Sequence, residues 1–165
     1  MKIQYVHASK YGNWVKVAQE FTRDMAERGI EVTVNHTDDV NPTQLPPADL
    51  YVFSSPGRFG KPIRDMRRFL SAMQLPAGTR YAILTTEMAP KPDKKTGLMP
   101  TEEETCRYQK VRPIMHELLQ AKGLVAVAED KVYVSAIHGP LETDWQQKVD
   151  AFAARIPLVQ VTGPG

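Results

Sequence analysis

Residues 3–14 read IQYVHASKYGNW, and this short segment decides the fold. Its first half is a mainly apolar run of the length expected for a buried strand, and its second half is small and polar. From Trp14 onward, apolar residues repeat at helical spacing until Gly29 supplies a stop signal. The order of strand, loop and helix predicts the opening unit of a parallel α/β sheet.

The same alternation continues along the chain. Further strands are predicted at residues 30–36, 50–53, 81–85 and 125–134, the last of them open to an interruption at residues 129–130. Further helices are predicted at residues 63–73, 101–119 and 145–156, and Pro113 predicts a bend or restart of the second of these near Val111. Thr101 and Glu104 form a capping box at its start, and residues 86–100 form a long polar loop without apolar period.

Five strands and four helices with right-handed crossovers predict one fold class. It is α/β, a three-layer doubly wound sheet of five parallel strands in the order 2-1-3-4-5. Residues 1–157 are predicted to form a single domain, and residues 158–165 a short C-terminal tail.

Composition excludes several classes of function. Lysine and arginine number 21 against 19 acidic residues, so no strong overall field argues for nucleic acid. The single cysteine, Cys106, cannot form an internal disulfide, and no Cys/His spacing suits a metal. No signal peptide or membrane-spanning run is seen, and a reducing cytoplasm is the expected location.

In a sheet of this order, a ligand binds at the carboxyl ends of strands one and three. The ligand-binding loops are therefore predicted at residues 9–14 and 54–61. In the first loop, backbone N–H groups and the positive end of the following helix can surround a phosphate, while Ser9 and Asn13 add hydrogen bonds. The alternative is an ordinary strand-to-helix turn in which Asn13 is the helix cap.

Three segments resemble the flavodoxin family. The first loop is similar to the family pattern Ser/Thr, variable residues, Gly-Asn-Thr, with Trp14 in place of the threonine. The second loop, SSPGRFGKP at residues 54–62, resembles the pattern G-S-P-T-R-[WF]-G-K-P, with Gly57 in place of threonine. The sequence GPLE at residues 139–142 commonly introduces the last helix in this family. The resemblance implies non-covalent binding of FMN.

The expected cofactor-binding residues come from three loops. They are Ser9, Lys10, Tyr11, Gly12, Asn13, Trp14, Ser55, Pro56, Gly57, Arg58, Phe59, Gly60, Thr86, Glu87 and Met88. Phe59 is expected against the apolar face of the flavin, with ordinary loop packing as the alternative. Many flavodoxins stack a tyrosine of the third loop on the flavin, but this chain has no aromatic residue there before Tyr108. Met88 could take the place of that tyrosine against the ring. No catalytic or metal-binding residue is predicted.

The resemblance implies an electron carrier that works between redox partner proteins. One alternative is an FMN-dependent NAD(P)H:quinone-type oxidoreductase, and another is a non-flavin interaction module on the same fold. Basic residues cluster after the second loop, at Arg58, Lys61, Arg64, Arg67 and Arg68. They would suit an acidic partner or the phosphates of NAD(P)H, unless they form only a solvated helix face.

Overall fold

The computed structural model describes residues 1–10 and 12–158. The strands in this part are β1 (Lys2–His7), β2 (Glu31–His36), β3 (Leu50–Arg58), β4 (Lys61–Pro62), β5 (Arg80–Met88) and β6 (Val125–Val134). The helices are α1 (Asn13–Glu27), α2 (Arg64–Ala72), α3 (Glu102–Tyr108), α4 (Val111–Gln120) and α5 (Trp145–Arg155). None of these helices has the length and apolarity needed to cross a bilayer. Of the predicted tail, residues 159–165 lie outside the described residues, and the domain boundary stays a prediction.

The sheet has the predicted winding. Its five long strands are all parallel and follow the order β2-β1-β3-β5-β6. The two-residue strand β4 pairs antiparallel with the end of β3 and lies off this path. Leaving β4 aside, the order of the long strands is 2-1-3-4-5, so the predicted fold class is confirmed.

Two hydrophobic cores hold the layers together, one on each face of the sheet. On one face, Tyr5 packs with Phe21 of α1 and Phe152 of α5. On the other face, Phe53 packs with Met66 of α2 and with α4. Neighbouring residues of a strand point to opposite faces, so the apolar runs of β1 and β3 serve both cores.

Three local predictions need correction. The segment from residue 101 forms two helices, which confirms the restart at Val111, but the described part then has five α-helices instead of the four predicted. Residues 86–88 were predicted to belong to the polar loop, but they are part of β5, which ends at Met88. Thr86, for example, still pairs with Pro56 of β3. β6 is continuous through residues 129–130, and its irregularity lies earlier, opposite residues 81–82.

The interface between α1 and α5 contains crowded carboxylates. Carboxylate oxygens of Glu20, Asp24 and Asp150, one from each residue, lie within 4.8 Å of one another. Burial, and then the neighbouring Asp150 and Glu20, raise the pKa of Asp24 to about 7, whereas Arg23 opposes the rise. In an unfolded chain the pKa of aspartate is about 3.9. The folded protein therefore holds an extra proton between about pH 4 and pH 7, and stability should fall as pH rises through this window.

Asp24→Asn should therefore raise the free energy of unfolding by about 1–2 kcal/mol at pH 8 and by much less at pH 4. The physical reason is that the neutral amide removes one crowded negative charge that the folded state pays to bury at high pH. The measurement is urea unfolding at both pH values. The exposed Asp39, changed to asparagine, is the matched control. An equal effect of Asp24→Asn at pH 4 and pH 8 would contradict the assignment.

Candidate functional site

A cavity of about 190 Å³ opens at the carboxyl ends of β1, β3 and β5. It brings together residues from all three loops that the sequence singles out. Eight of the predicted residues line it, namely Ser9, Lys10, Asn13, Pro56, Gly57, Arg58, Thr86 and Met88. The predicted residues Gly12, Trp14, Ser55, Phe59, Gly60 and Glu87 do not line it, and Tyr11 lies outside the described residues.

The first loop presents unused hydrogen-bond donors at the start of α1. Gly12 is the N-cap residue of α1, and no side chain caps the helix there. Asn13 is the first helical residue, so the alternative in which Asn13 is the cap is wrong. The backbone N–H groups of Ser9, Lys10 and Asn13 find no acceptor outside α1 among the described residues. Because the helix dipole adds positive potential at the same place, the loop is suited to hold an anion.

Lys10 links the first loop to α2. Its Nζ lies 3.4 Å from a carboxylate oxygen of Asp65, and both residues line the cavity. The Lys10 side chain is 66% exposed, so this ion pair contributes little to stability. The contact places the first loop beside the start of α2, and the two side chains together form one wall of the cavity.

Trp14, which stands where the family pattern has threonine, points away from the cavity. Its ring stacks on His7 with 3.6 Å between the centroids, and His7 also meets the edge of His36 at 5.0 Å. Burial, and then the nearby His36, lower the pKa of His7 to about 4, so His7 is neutral at pH 7. The tryptophan therefore serves packing around a neutral histidine, and the backbone donors of the loop stay free.

The second loop is a tight hairpin between β3 and β4. Arg58 pairs with Lys61, and the two residues between them have positive φ, 52° at Phe59 and 72° at Gly60. Such two-residue turns normally use asparagine and glycine, because a positive φ crowds a larger side chain. Phe59 is nevertheless in this conformation, and its ring is 99% exposed.

Gly57 replaces the threonine of the family pattern for a steric reason. A Cβ atom on Gly57 would lie 2.6 Å from a methyl carbon of Val111, at the start of α4. Carbon atoms do not approach so closely, so glycine is required while Val111 is buried there. The close approach brings α4 directly behind the part of the second loop that lines the cavity. Ser55 is also buried, and its hydroxyl donates to the carbonyl of Pro56.

The end of β5 supplies the third loop's contribution. Thr86 and Met88 face the cavity, whereas Glu87 points to the opposite face of the strand and is 1% exposed. Its carboxylate accepts a hydrogen bond from Nε of Arg112 at 3.0 Å, and another from the hydroxyl of Thr85. Burial would lower the pKa of Arg112, but the carboxylates of Glu87 and Glu129 outweigh burial and raise it. The guanidinium of Arg112 is thus held charged beside the buried side chain of Glu87.

Five further residues that were not among the predicted cofactor-binding residues line the cavity. They are Ile63, Arg64, Asp65, Val134 and Ile137. The first three follow the second loop directly, and the last two lie at or beyond the carboxyl end of β6. The general rule that ligands bind at the carboxyl ends of parallel strands would have found Val134, if applied to the last strand.

The donor set fits FMN. Free backbone N–H groups at the start of α1 suit its phosphate, and the walls near Ile63, Met88, Val134 and Ile137 suit an apolar ring. Asp65, the one carboxylate among the described residues that line the cavity, is paired with Lys10. The cavity therefore offers an anion site at one end and an apolar surface at the other.

Solved structures show the same architecture. Oxidised flavodoxin 2 from Bacillus cereus matches with a TM-score of 0.69 at 21% identity, over 94% of this chain and 97% of that one. A flavodoxin from the domain Archaea matches with a TM-score of 0.63 at 17% identity, over 93% and 94% of the two chains. The fold of this protein is therefore flavodoxin-like.

The same fold is also found inside a longer redox protein. Rubredoxin oxygen:oxidoreductase from the anaerobe Desulfovibrio gigas matches with a TM-score of 0.62 at 13% identity, over 94% of this chain but 35% of that chain. No protein-family model matches the sequence, and no curated protein does. At these levels of identity the comparisons establish the fold, and function has to be argued from the site.

Proposed function

We propose that this protein binds FMN non-covalently and transfers electrons between redox partner proteins, as a component of the cytoplasm. One observation carries the proposal. Three loops that are distant in sequence line one cavity at the carboxyl ends of β1, β3 and β5, and free backbone donors lie at its α1 end. A cavity at this position of a doubly wound sheet is the usual place for a phosphate-bearing cofactor.

The residues of the cavity have separate tasks in this proposal. The N–H groups of Ser9 and Asn13, with the dipole of α1, would hold the phosphate. Pro56 and Gly57 would lie along the ring, and Met88 would provide a soft apolar contact in place of an aromatic side chain. Bound FMN supplies the redox chemistry, while the protein orients it and shields part of it from water.

In this proposal, the small size of the cavity favours a carrier whose flavin remains accessible to a partner protein. Its volume of about 190 Å³ is smaller than the roughly 300–1,000 Å³ typical of pockets that enclose a small ligand. A flavin held here would therefore be only partly enclosed, and an edge of its ring would remain accessible. An accessible edge allows a partner protein to approach closely enough to exchange electrons.

The proposal is tested by titrating the purified apoprotein with FMN and, separately, with riboflavin, which lacks the phosphate. We expect FMN to bind at least about tenfold more tightly, since the phosphate contributes charge-assisted hydrogen bonds. Asn13→Asp should remove most of this preference, because a carboxylate beside the anion repels it. Flavin fluorescence quenching gives both dissociation constants.

Gln19→Glu is the matched control. It adds the same charge to the same helix, but at an exposed position beyond the first turn. It should leave the preference for FMN within about twofold, since a dipole effect is confined to the first turn. Failure to bind either flavin, or equal affinity for FMN and riboflavin, would contradict the proposal.

A second candidate function is an FMN-dependent NAD(P)H:quinone-type oxidoreductase. The observation in its favour is a shallow groove beside the cavity that is lined by Arg64, Arg67 and Arg68, side chains suited to nucleotide phosphates. Rapid loss of flavin absorbance when NADPH is mixed with the FMN-loaded protein would support the oxidoreductase. Reduction by NADPH no faster than that of free FMN would favour the carrier.

A further inference from the structure

We infer that the face around the mouth of the cavity is the docking surface for an acidic redox protein. This inference rests on the proposed function, and it specifies the chemistry of the partner and the residues that meet it. We call this surface the docking face. It consists of the hairpin at residues 58–61, the arginines of α2, and the exposed apolar side chains Leu98, Met99 and Tyr108.

The centre of the docking face is apolar. Phe59 is 99% exposed, Tyr108 78%, Leu98 70% and Met99 57%. Leu98, Met99 and Tyr108 line one open depression of about 530 Å³. The hairpin touches the same segment, because the N–H of Lys110 donates to the carbonyl of Gly60 at 2.6 Å. The hairpin that carries Phe59 is therefore held against the segment that carries Tyr108, and exposed apolar side chains gathered in this way indicate an interaction site.

Two further observations indicate that the exposed side chains of this patch, unlike its backbone contacts, do not serve folding. Phe59 has a positive φ in a turn that asparagine or glycine would form with less strain, and its ring covers no core residue. α3 has seven residues, none of them buried, although it carries the exposed Tyr108. A strained, exposed phenylalanine and a helix without buried residues gain contacts only when another molecule covers them.

The charge beside the patch selects the partner. Among the described residues, Arg58, Lys61, Arg64, Arg67 and Arg68 form no ion pair. The nearby Asp65 is already paired with Lys10. On the other side, Glu103 is paired with Arg107, whereas Glu102 and Glu104 in the first turn of α3 form no ion pair with a described residue. Five unpaired cations thus stand against two unpaired carboxylates. The free charge of the docking face is therefore mainly positive, and it complements an acidic protein.

The position of the docking face suits electron transfer. Arg58 and Arg64 belong both to the docking face and to the lining of the cavity. Gln109, beside Tyr108, donates to the carbonyl of Met88, another residue of the cavity. A partner seated here covers the mouth of the cofactor site. Its own cofactor would then lie next to the accessible edge of the flavin.

The experiment uses an acidic plant-type [2Fe–2S] ferredoxin as the probe. The dissociation constant is measured by NMR titration of the ¹⁵N-labelled protein at low and at high ionic strength, with and without FMN. We expect shifts at residues 58–61, 64–68 and 98–108. Binding should weaken at least about tenfold between 10 mM and 300 mM salt, because steering by exposed charges is screened.

Lys61→Glu combined with Arg68→Glu should weaken binding at low salt by about tenfold or more. The matched control is Lys2→Glu combined with Arg80→Glu, which makes the same change in charge. These two residues begin β1 and β5, so they lie at the ends of the strands opposite to the cavity. Tyr108→Ser should weaken binding at both ionic strengths, since it removes an apolar contact. A basic cytochrome c should bind more weakly than the ferredoxin.

A kinetic measurement completes the test. Ferredoxin reduced beforehand is mixed with the FMN-loaded protein, one electron leaves its cluster, and the flavin accepts it. The second-order rate constant should follow the same order of variants. Equal effects of the two charge reversals, binding independent of salt, or tighter binding of cytochrome c would overturn the docking inference. Loss of FMN binding would instead reject the proposed function, because the NMR titration reports docking without the flavin.

Discussion

Replacing Arg112 by methionine should lower the free energy of unfolding by about 3–5 kcal/mol at pH 8. The carboxylate of Glu87 is 1% exposed, and the guanidinium 3.0 Å away is its only cationic partner among the described residues. Methionine has a similar volume, so the cost arises from the charge left behind and not from a cavity. Denaturant unfolding measures the difference directly.

The predicted loss of stability arises from the burial of Glu87, so an exposed arginine–glutamate pair provides the control. Arg107 also pairs with a glutamate, Glu103, but the two side chains are 68% and 82% exposed. Arg107→Met should therefore cost less than about 1 kcal/mol. Adding Glu87→Gln to Arg112→Met should restore most of the loss, because the neutral amide leaves no unpaired charge. A similar loss for Arg107→Met and Arg112→Met would show that burial does not govern the pair.

The position of the site could be predicted from sequence because it depends on local patterns and on topology. The apolar run before residue 9 and the helical period after Trp14 fix a loop at the end of a strand. The order of the sheet then brings this loop beside residues 54–61, with no knowledge of any side chain. The structure confirms the order, and the cavity lies where these two loops and the end of β5 meet.

The roles of individual side chains could not be predicted in the same way. Trp14 was expected at the cofactor, but its ring stacks on His7, a contact that depends on the packing of α1 against β1. Glu87 was expected at the cofactor as well, but residues alternate across a strand, and the extension of β5 to Met88 turns Glu87 to the other face. Its partner Arg112 is 25 residues further along, beyond the reach of a local pattern.

The second prediction with a large expected effect concerns the hairpin of the second loop. Gly60→Ala should displace the hairpin from the segment that precedes α4, and should destabilise the protein by about 2–3 kcal/mol. A Cβ atom on Gly60 would lie 1.9 Å from the carbonyl oxygen of Tyr108, which belongs to the backbone and cannot rotate away. The hydrogen bond from Lys110 to the carbonyl of Gly60 should be lost with this movement.

Strain of the backbone has to be separated from the steric clash. Gly78 also has a positive φ, 88°, but a Cβ atom there would meet nothing within 4 Å. Gly78→Ala therefore measures the cost of a positive φ alone, about 1–2 kcal/mol. Denaturant unfolding gives both stabilities, and the amide exchange rate of Lys110 reports its hydrogen bond. If Gly60→Ala costs no more than Gly78→Ala and leaves Lys110 protected, the hairpin is not held against Tyr108. A larger loss and faster exchange would show that glycine is required to seat the hairpin, which joins the wall of the cavity to the apolar patch outside it.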